Sequence, residues 1–203
     1  MGVDRKRVID AMSRIRATAN EDGIIPSFGV FVNQLPVTFW NTFSERLTRQ
    51  VGPDLLEAAE FLLVNAATEC GYHTGHGIMA SEEWKAVVAP MVEKREDVLD
   101  GLFAVVTSWG WGRCEVVDLS PGERMVVRAY DYYESDVVTY GESSKKSAYM
   151  LRGVCAAFMV VAYRGEYVPG GKTCLDDYEC EQTRGIECGD DYGEFIVTRY
   201  SGD

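Results

Sequence analysis

The chain has 203 residues, an apolar fraction of 46%, a charged fraction of 26% and a formal net charge of -12. Such a length and composition suit one domain that buries its core without disulfides, while the acidic surface repels phosphate backbones and anionic lipid and argues against nucleic acid as a partner. No run is long and apolar enough to span a bilayer, and the charged start from Met1 to Arg7 has no apolar stretch behind it, so a cytoplasmic location with reduced cysteines is expected.

Val8, Met12, Ile15 and Ala19 recur at helical spacing and predict a first helix over 3–19, ended by Asn20-Glu21-Asp22-Gly23. The apolar stretch from Ile24 to Leu35 is broken by Pro26 and Gly29 and reads as an extended connector. Residues 1–35 are therefore expected to pack as a helix and connector on a domain spanning 36–203. Pro36 opens a second helix whose apolar stripe is Phe39, Trp40, Phe43 and Leu47. After Gly52-Pro53 a third helix runs through Leu55, Leu56, Ala59, Leu62 and Leu63 to about Thr68. The segment 69–77 holds Gly71, Gly75 and Gly77 and reads as a loop or a broken helix end. Ser81 is an N-cap for a fourth helix carrying Trp84, Val87, Val88, Met91 and Val92.

From Leu102 the period changes, and Leu102–Ser108, Arg113–Leu119 and Arg124–Tyr130 read as strands joined by Gly110, Gly112 and the turn Ser120-Pro121-Gly122-Glu123. A further helix is expected over about Ser147–Tyr163. Pro169-Gly170-Gly171 then turns into a closing hairpin near Thr173–Glu181 and Glu194–Tyr200. The order is N-terminal helices, an antiparallel meander, a helix and a closing hairpin, which defines a single α+β domain.

Two clusters carry chemistry. Cys70, His73 and His76 fall three residues apart; thiolate and imidazole at that spacing can hold a metal, line a pocket or serve as nucleophile and base, or simply face water from a loop. Asp177, Cys180 and Cys188 offer a carboxylate and two thiolates around a Gly-containing turn, three of the four positions of a tetrahedral zinc site. Trp109 and Trp111 would share a face if extended, and Tyr130, Tyr132 and Tyr149, with Phe103 and Phe158, add aromatic surface that serves equally as pocket wall or as core.

From about residue 36 the chain resembles the 4-vinyl-reductase domains. The resemblance rests on the hairpin Asp177–Val197, on Trp109-Gly110-Trp111-Gly112 before a strand, and on the aromatic-Glu-small run within Tyr130–Asp136. It also rests on Met150-Leu151-Arg152-Gly153 before an Ala-rich helix, and on the helices from Phe39 through Gly52 to Cys70-Gly71. That family includes a bacteriochlorophyll-biosynthesis accessory protein, aromatic-sensing domains of bacterial transcription activators and, more distantly, small subunits of a vesicle-tethering complex. The resemblance implies a homodimer enclosing a small hydrophobic or aromatic molecule in a largely apolar pocket between helices and sheet. It sets Tyr132, Tyr133 and Glu134 beside that pocket or the dimer contact. Glu134 would then be a buried carboxylate in need of a partner, with Arg128 or Arg152 as candidates. In the aromatic sensors a zinc is held by an early Cys, a Glu and two hairpin Cys. Cys180 and Cys188 match the hairpin pair and Asp177 the Glu, whereas the early Cys falls on Ala148, leaving Cys155 two turns along the same helix face as the substitute.

Two functional classes therefore stand: a binding module without chemistry of its own, and a metal- or cofactor-dependent enzyme built on Cys70, His73 and His76. The chain has no Gly-x-Ser-x-Gly, no phosphate loop and no dinucleotide fingerprint.

Overall fold

The computed structural model describes residues 2–164, 167 and 177–200. The Pro169-Gly170-Gly171 turn and Cys174 lie outside them, as does the expected start of the last hairpin at Thr173. Among the described residues the order is α1 (Arg5–Met12), β1 (Ile25–Ser27), β2 (Val30–Val32), α2 (Val37–Gln50), α3 (Pro53–Ala80), α4 (Glu82–Val87), α5 (Asp97–Ser108), β3 (Gly112–Ser120), β4 (Arg124–Tyr132), α6 (Val137–Tyr140), α7 (Tyr149–Tyr163), β5 (Tyr178–Arg184) and β6 (Gly193–Arg199). This is the α+β domain that the periodicity predicts.

Strands β3 to β6 form an antiparallel sheet in the order β3-β4-β6-β5. Its inner face presents Met125, Val127, Phe195 and Val197, all fully buried, to α7 and α5. Its outer face carries a rung in which Glu115 pairs with Arg128, Arg128 with Glu194 and Glu194 with Arg184. Opposite charges alternate across all four strands, so this face is satisfied by cross-strand pairs.

Helix α7 is the centre of the molecule, buried along nearly its whole length from Leu151 to Ala162. One side lies on the sheet and the other crosses α3. The crossing is close because small residues meet there: a Cβ on Gly153 would sit 2.5 Å from Ala67 Cβ, and one on Gly71 would sit 2.9 Å from Ala157 Cβ. Gly71 and Gly75 therefore belong to a helix–helix contact, and the predicted break at 69–77 is instead the continuous second half of α3.

The other departures are local. The expected strand Leu102–Ser108 is the second half of α5, whose residues from Gly101 to Val106 are buried on every side and so show no helical period. The connector 24–35 closes into a short hairpin, with Ile25 facing Val32. The first helix stops at Met12, and the fourth ends at Val87 with a 3₁₀ turn following at Ala89–Met91. Ser81 does cap α4, its hydroxyl accepting from Trp84 N at 3.1 Å. Among the described residues no helix is long and apolar enough to cross a membrane.

Candidate functional site

The N-terminus of α7 has no capping side chain of its own, because its cap residue is Ala148. The first N–H groups of a helix need acceptors, and Glu134 supplies them from the short turn after β4. Its carboxylate accepts from Met150 N at 2.8 Å and Leu151 N at 3.0 Å, and also from Trp40 Nε1 at 2.8 Å. Neither Arg128 nor Arg152 is the partner: Arg128 pairs with Glu194 at 3.2 Å, and Arg152 donates to the Cys180 carbonyl. The expected buried carboxylate is thus present, but it is neutralised by a helix end and an indole. Burial pushes the Glu134 carboxyl up to about 7, against the opposing pull of the three donors.

A second buried carboxylate, Glu187, lies close by and accepts from Gln182 Nε2 at 2.7 Å, Ser147 N at 3.0 Å and the Tyr132 hydroxyl. Burial, and then Glu187, raise the Tyr132 phenol. Helix α2 is tied to the same corner by Trp40 and by Asn41, whose side-chain amide donates to Tyr133 O at 2.8 Å.

These elements enclose a cavity of about 470 Å³ bounded by α2, the first half of α3, the segment 134–147 and the start of α7. Its wall carries Glu45, Glu60, Glu134, Asp136, Glu142 and Glu187 against two cations, Arg49 and Lys145. Apolar surface comes from Leu56 and from the rings of Tyr140 and Tyr149. Tyr149 OH donates to Glu60 Oε1 at 2.7 Å, and Lys145 Nζ lies 2.7 Å from the same oxygen. The cavity is lined mostly by polar and charged residues, although their carbon atoms supply about half of its surface, unlike the apolar pocket expected between helices and sheet. That inner space is filled by Phe103, Phe158, Phe195, Leu102, Leu151 and Met159, each fully buried.

The predicted ligand residues therefore divide. Glu134 and Tyr149 line the cavity, and Tyr132 stands behind it through Glu187. Trp109 ends α5 in helical geometry rather than in a strand, and its ring packs edge-on to Phe28 with centroids 4.7 Å apart. Trp111 lies 6.3 Å from Trp109, packed against the core. Tyr130 sits on the outer face of the sheet under the Arg113 guanidinium. Trp40, Asn41, Glu60, Lys145 and Glu187 emerge only from the fold. Trp40 reads in the sequence as one more member of an apolar stripe, and its indole N–H is the signal that it needs an acceptor.

Cys70, His73 and His76 lie on α3 without converging. Cys70 Sγ approaches Thr74 Oγ1 at 4.0 Å rather than an imidazole, and burial raises its thiol. His73 is engaged by Glu69 at 3.3 Å and by Tyr167 OH at 3.1 Å. His76 Nε2 is buried without a hydrogen-bond partner among the described residues, its ring 4.6 Å from Tyr72 and 5.1 Å from Tyr167. Among the described residues no imidazole hydrogen-bonds the Cys70 thiol, so this arrangement does not itself activate it as a nucleophile.

The hairpin residues do not assemble a zinc set either. Cys155 and Cys180 are hydrogen-bonded thiols in the core, and burial holds Cys155 well above the usual thiol range. Asp177 is taken by Arg164. Cys188 is half-buried beside Glu187, Lys146 and Asp190. Among the described residues no three His, Cys, Asp or Glu side chains come together as metal ligands. The four residues do not fit a zinc ion in this arrangement.

No protein-family model matches the chain, and no curated protein matches its sequence. Solved structures do share its fold. The phenol-responsive sensory domain of the transcription activator PoxR, solved with phenol, superposes with a TM-score of 0.71 at 14% identity, over 98% of this chain and 92% of that one. A trafficking protein particle complex subunit 3 from Naegleria fowleri, covalently bound to palmitic acid, superposes with a TM-score of 0.57 at 13% identity, over 81% and 93% of the two chains. Both are of the kinds that the sequence resemblance names, and at these identities they establish a common fold.

Proposed function

We propose that the chain is a small-molecule-binding domain whose ligand occupies the cavity at the N-terminus of α7, and that it acts as a homodimer. The observation that carries the first part is that cavity, with the carboxylate of Glu134 in its wall at a helix end. A concave space of that size with a few convergent polar groups is the usual form of a ligand site. Two proteins of this fold were solved with small molecules, phenol in one and palmitic acid in the other, which supports the same use here. The ligand has a small apolar or aromatic body, resting on Leu56, Tyr140 and Tyr149, and hydrogen-bond donors directed at the carboxylates. Thr48 of α2 lines the cavity and is half-buried, so Thr48→Trp should fill the space and abolish binding while leaving the protein folded.

The dimer is supported by a surface. Phe39 and Phe43 of α2 and Leu55, Phe61 and Leu62 of α3 are all about half exposed or more, with Phe61 and Leu62 each at 63%. So many large exposed apolar side chains on two neighbouring helices are uncommon on a monomer and mark an interface. A second copy of the chain covers it in this proposal, which places the dimer contact on the two helices that also wall the cavity.

A further inference from the structure

We infer that the ligand taken by the cavity bears an ammonium group: it is a small primary amine with an apolar or aromatic body. The inference rests on the cavity reading above and adds the charge of the ligand to it.

The chain itself supplies the first indication, because an ammonium already sits in the wall. Lys145 Nζ is 2.7 Å from Glu60 Oε1, the oxygen that also accepts from Tyr149 OH. The two halves of that pair differ in environment. The Glu60 side chain is 15% exposed and the Lys145 side chain 53%, so a fixed carboxylate inside the cavity is met by the tip of a side chain reaching in from outside. An ion pair with one solvated end contributes little to stability. Exchanging Lys145 for the ammonium of a ligand keeps the charge on Glu60 satisfied and adds the burial of the ligand's apolar body against Leu56 and Tyr149.

The second indication is the imbalance around that pair. The wall holds four more carboxylates than cations, and Arg49 is already answered by Glu45 at 3.3 Å. An anionic ligand entering this space is repelled, a neutral one that displaces Lys145 leaves one more carboxylate uncompensated, and a cation that takes the place of Lys145 keeps the balance. Lys145 lies between Ser143, whose N–H donates to Glu187 O at 2.7 Å, and Ser147, whose N–H donates to Glu187 Oε1, so its backbone stays anchored when its side chain swings out.

The test is calorimetric titration of the full chain at low ionic strength with benzylamine, benzyl alcohol and benzoate, three probes of one shape and different charge. Wild type, Lys145→Met, Glu60→Gln and Thr48→Trp are compared, and the Tm of each reports folding. The inference expects benzylamine to bind best and benzoate not at all. Lys145→Met, which frees Glu60 from an exposed position, tightens benzylamine several-fold relative to benzyl alcohol. Glu60→Gln weakens benzylamine by about tenfold, the scale of one lost charge-assisted contact. If benzyl alcohol binds as well as benzylamine, is insensitive to Glu60→Gln and is lost in Thr48→Trp, the ammonium is overturned and the cavity stands. If Thr48→Trp changes the binding of none of the probes that bind, or if none of them binds, the inference falls; binding that survives Thr48→Trp removes the cavity reading with it.

Discussion

At the scale of single residues, Glu134 decides the site. A carboxyl held near 7 in the folded chain and at its ordinary 4.5 when unfolded binds its proton more tightly in the native state. The associated stabilisation is complete below about pH 4.5 and is lost as the pH rises through about 7. At 1.36 kcal/mol per pH unit the full swing is of the order of 3 kcal/mol. Urea titrations of wild type and Glu134→Gln should therefore show wild type losing about 1–3 kcal/mol relative to the variant between about pH 5 and pH 8. A difference that stays flat with pH would show that Glu134 does not titrate there. The resemblance to the 4-vinyl-reductase domains implies that Glu134 is a buried carboxylate in need of a partner; the run alone does not, since Asp131 and Asp136 stand in it as well. The identity of the partner is not local information: two N–H groups of α7 and the indole of Trp40, ninety-four residues away, reach it only after folding. Arg128 does not reach Glu134, because its register places it opposite Glu194 on the outer face of the sheet.

At the scale of elements, the α3–α7 crossing holds the site in place, because α7 presents the N–H groups and α3 presents Glu60. A Cβ on Gly153 would lie 2.5 Å from the backbone nitrogen of Thr68 and 2.6 Å from the carbonyl oxygen of Val64, groups that cannot move aside. Gly153→Ala should thus force the helices apart and destabilise the fold by about 1–3 kcal/mol, the usual cost of overpacking, despite the higher helix propensity of alanine. A more stable Gly153→Ala protein by thermal or urea unfolding would contradict this packing. The same crossing explains why α3 is misread from its sequence: three glycines within 69–77 resemble a break, but Gly71 and Gly75 are there to admit α7. Likewise Leu102–Ser108 is ambiguous because a helix buried all round carries no stripe, and an apolar run of that length fits either state. The amphipathic elements, β3, β4, β6 and α2, are legible because each has one face towards a distinguishable environment.

At the scale of the whole molecule, the apolar α2–α3 face predicts a dimer. Phe61→Asp should convert it to a monomer by light scattering without loss of helicity, since Phe61 has few contacts within its own chain; a wild-type monomer would contradict the dimer directly. The central claim is that a small molecule binds in the cavity at the start of α7, and it is tested by thermal shift of wild type and Thr48→Trp in parallel, over a panel of small aromatic and aliphatic compounds bearing hydroxyl or amino groups. A ligand at one hundred times its Kd adds about 2.7 kcal/mol, which for a chain of this size corresponds to roughly 5–10 °C in Tm. The account predicts such shifts in wild type and their absence in Thr48→Trp. Equal shifts in both proteins, or no shift in wild type across the panel, would contradict it.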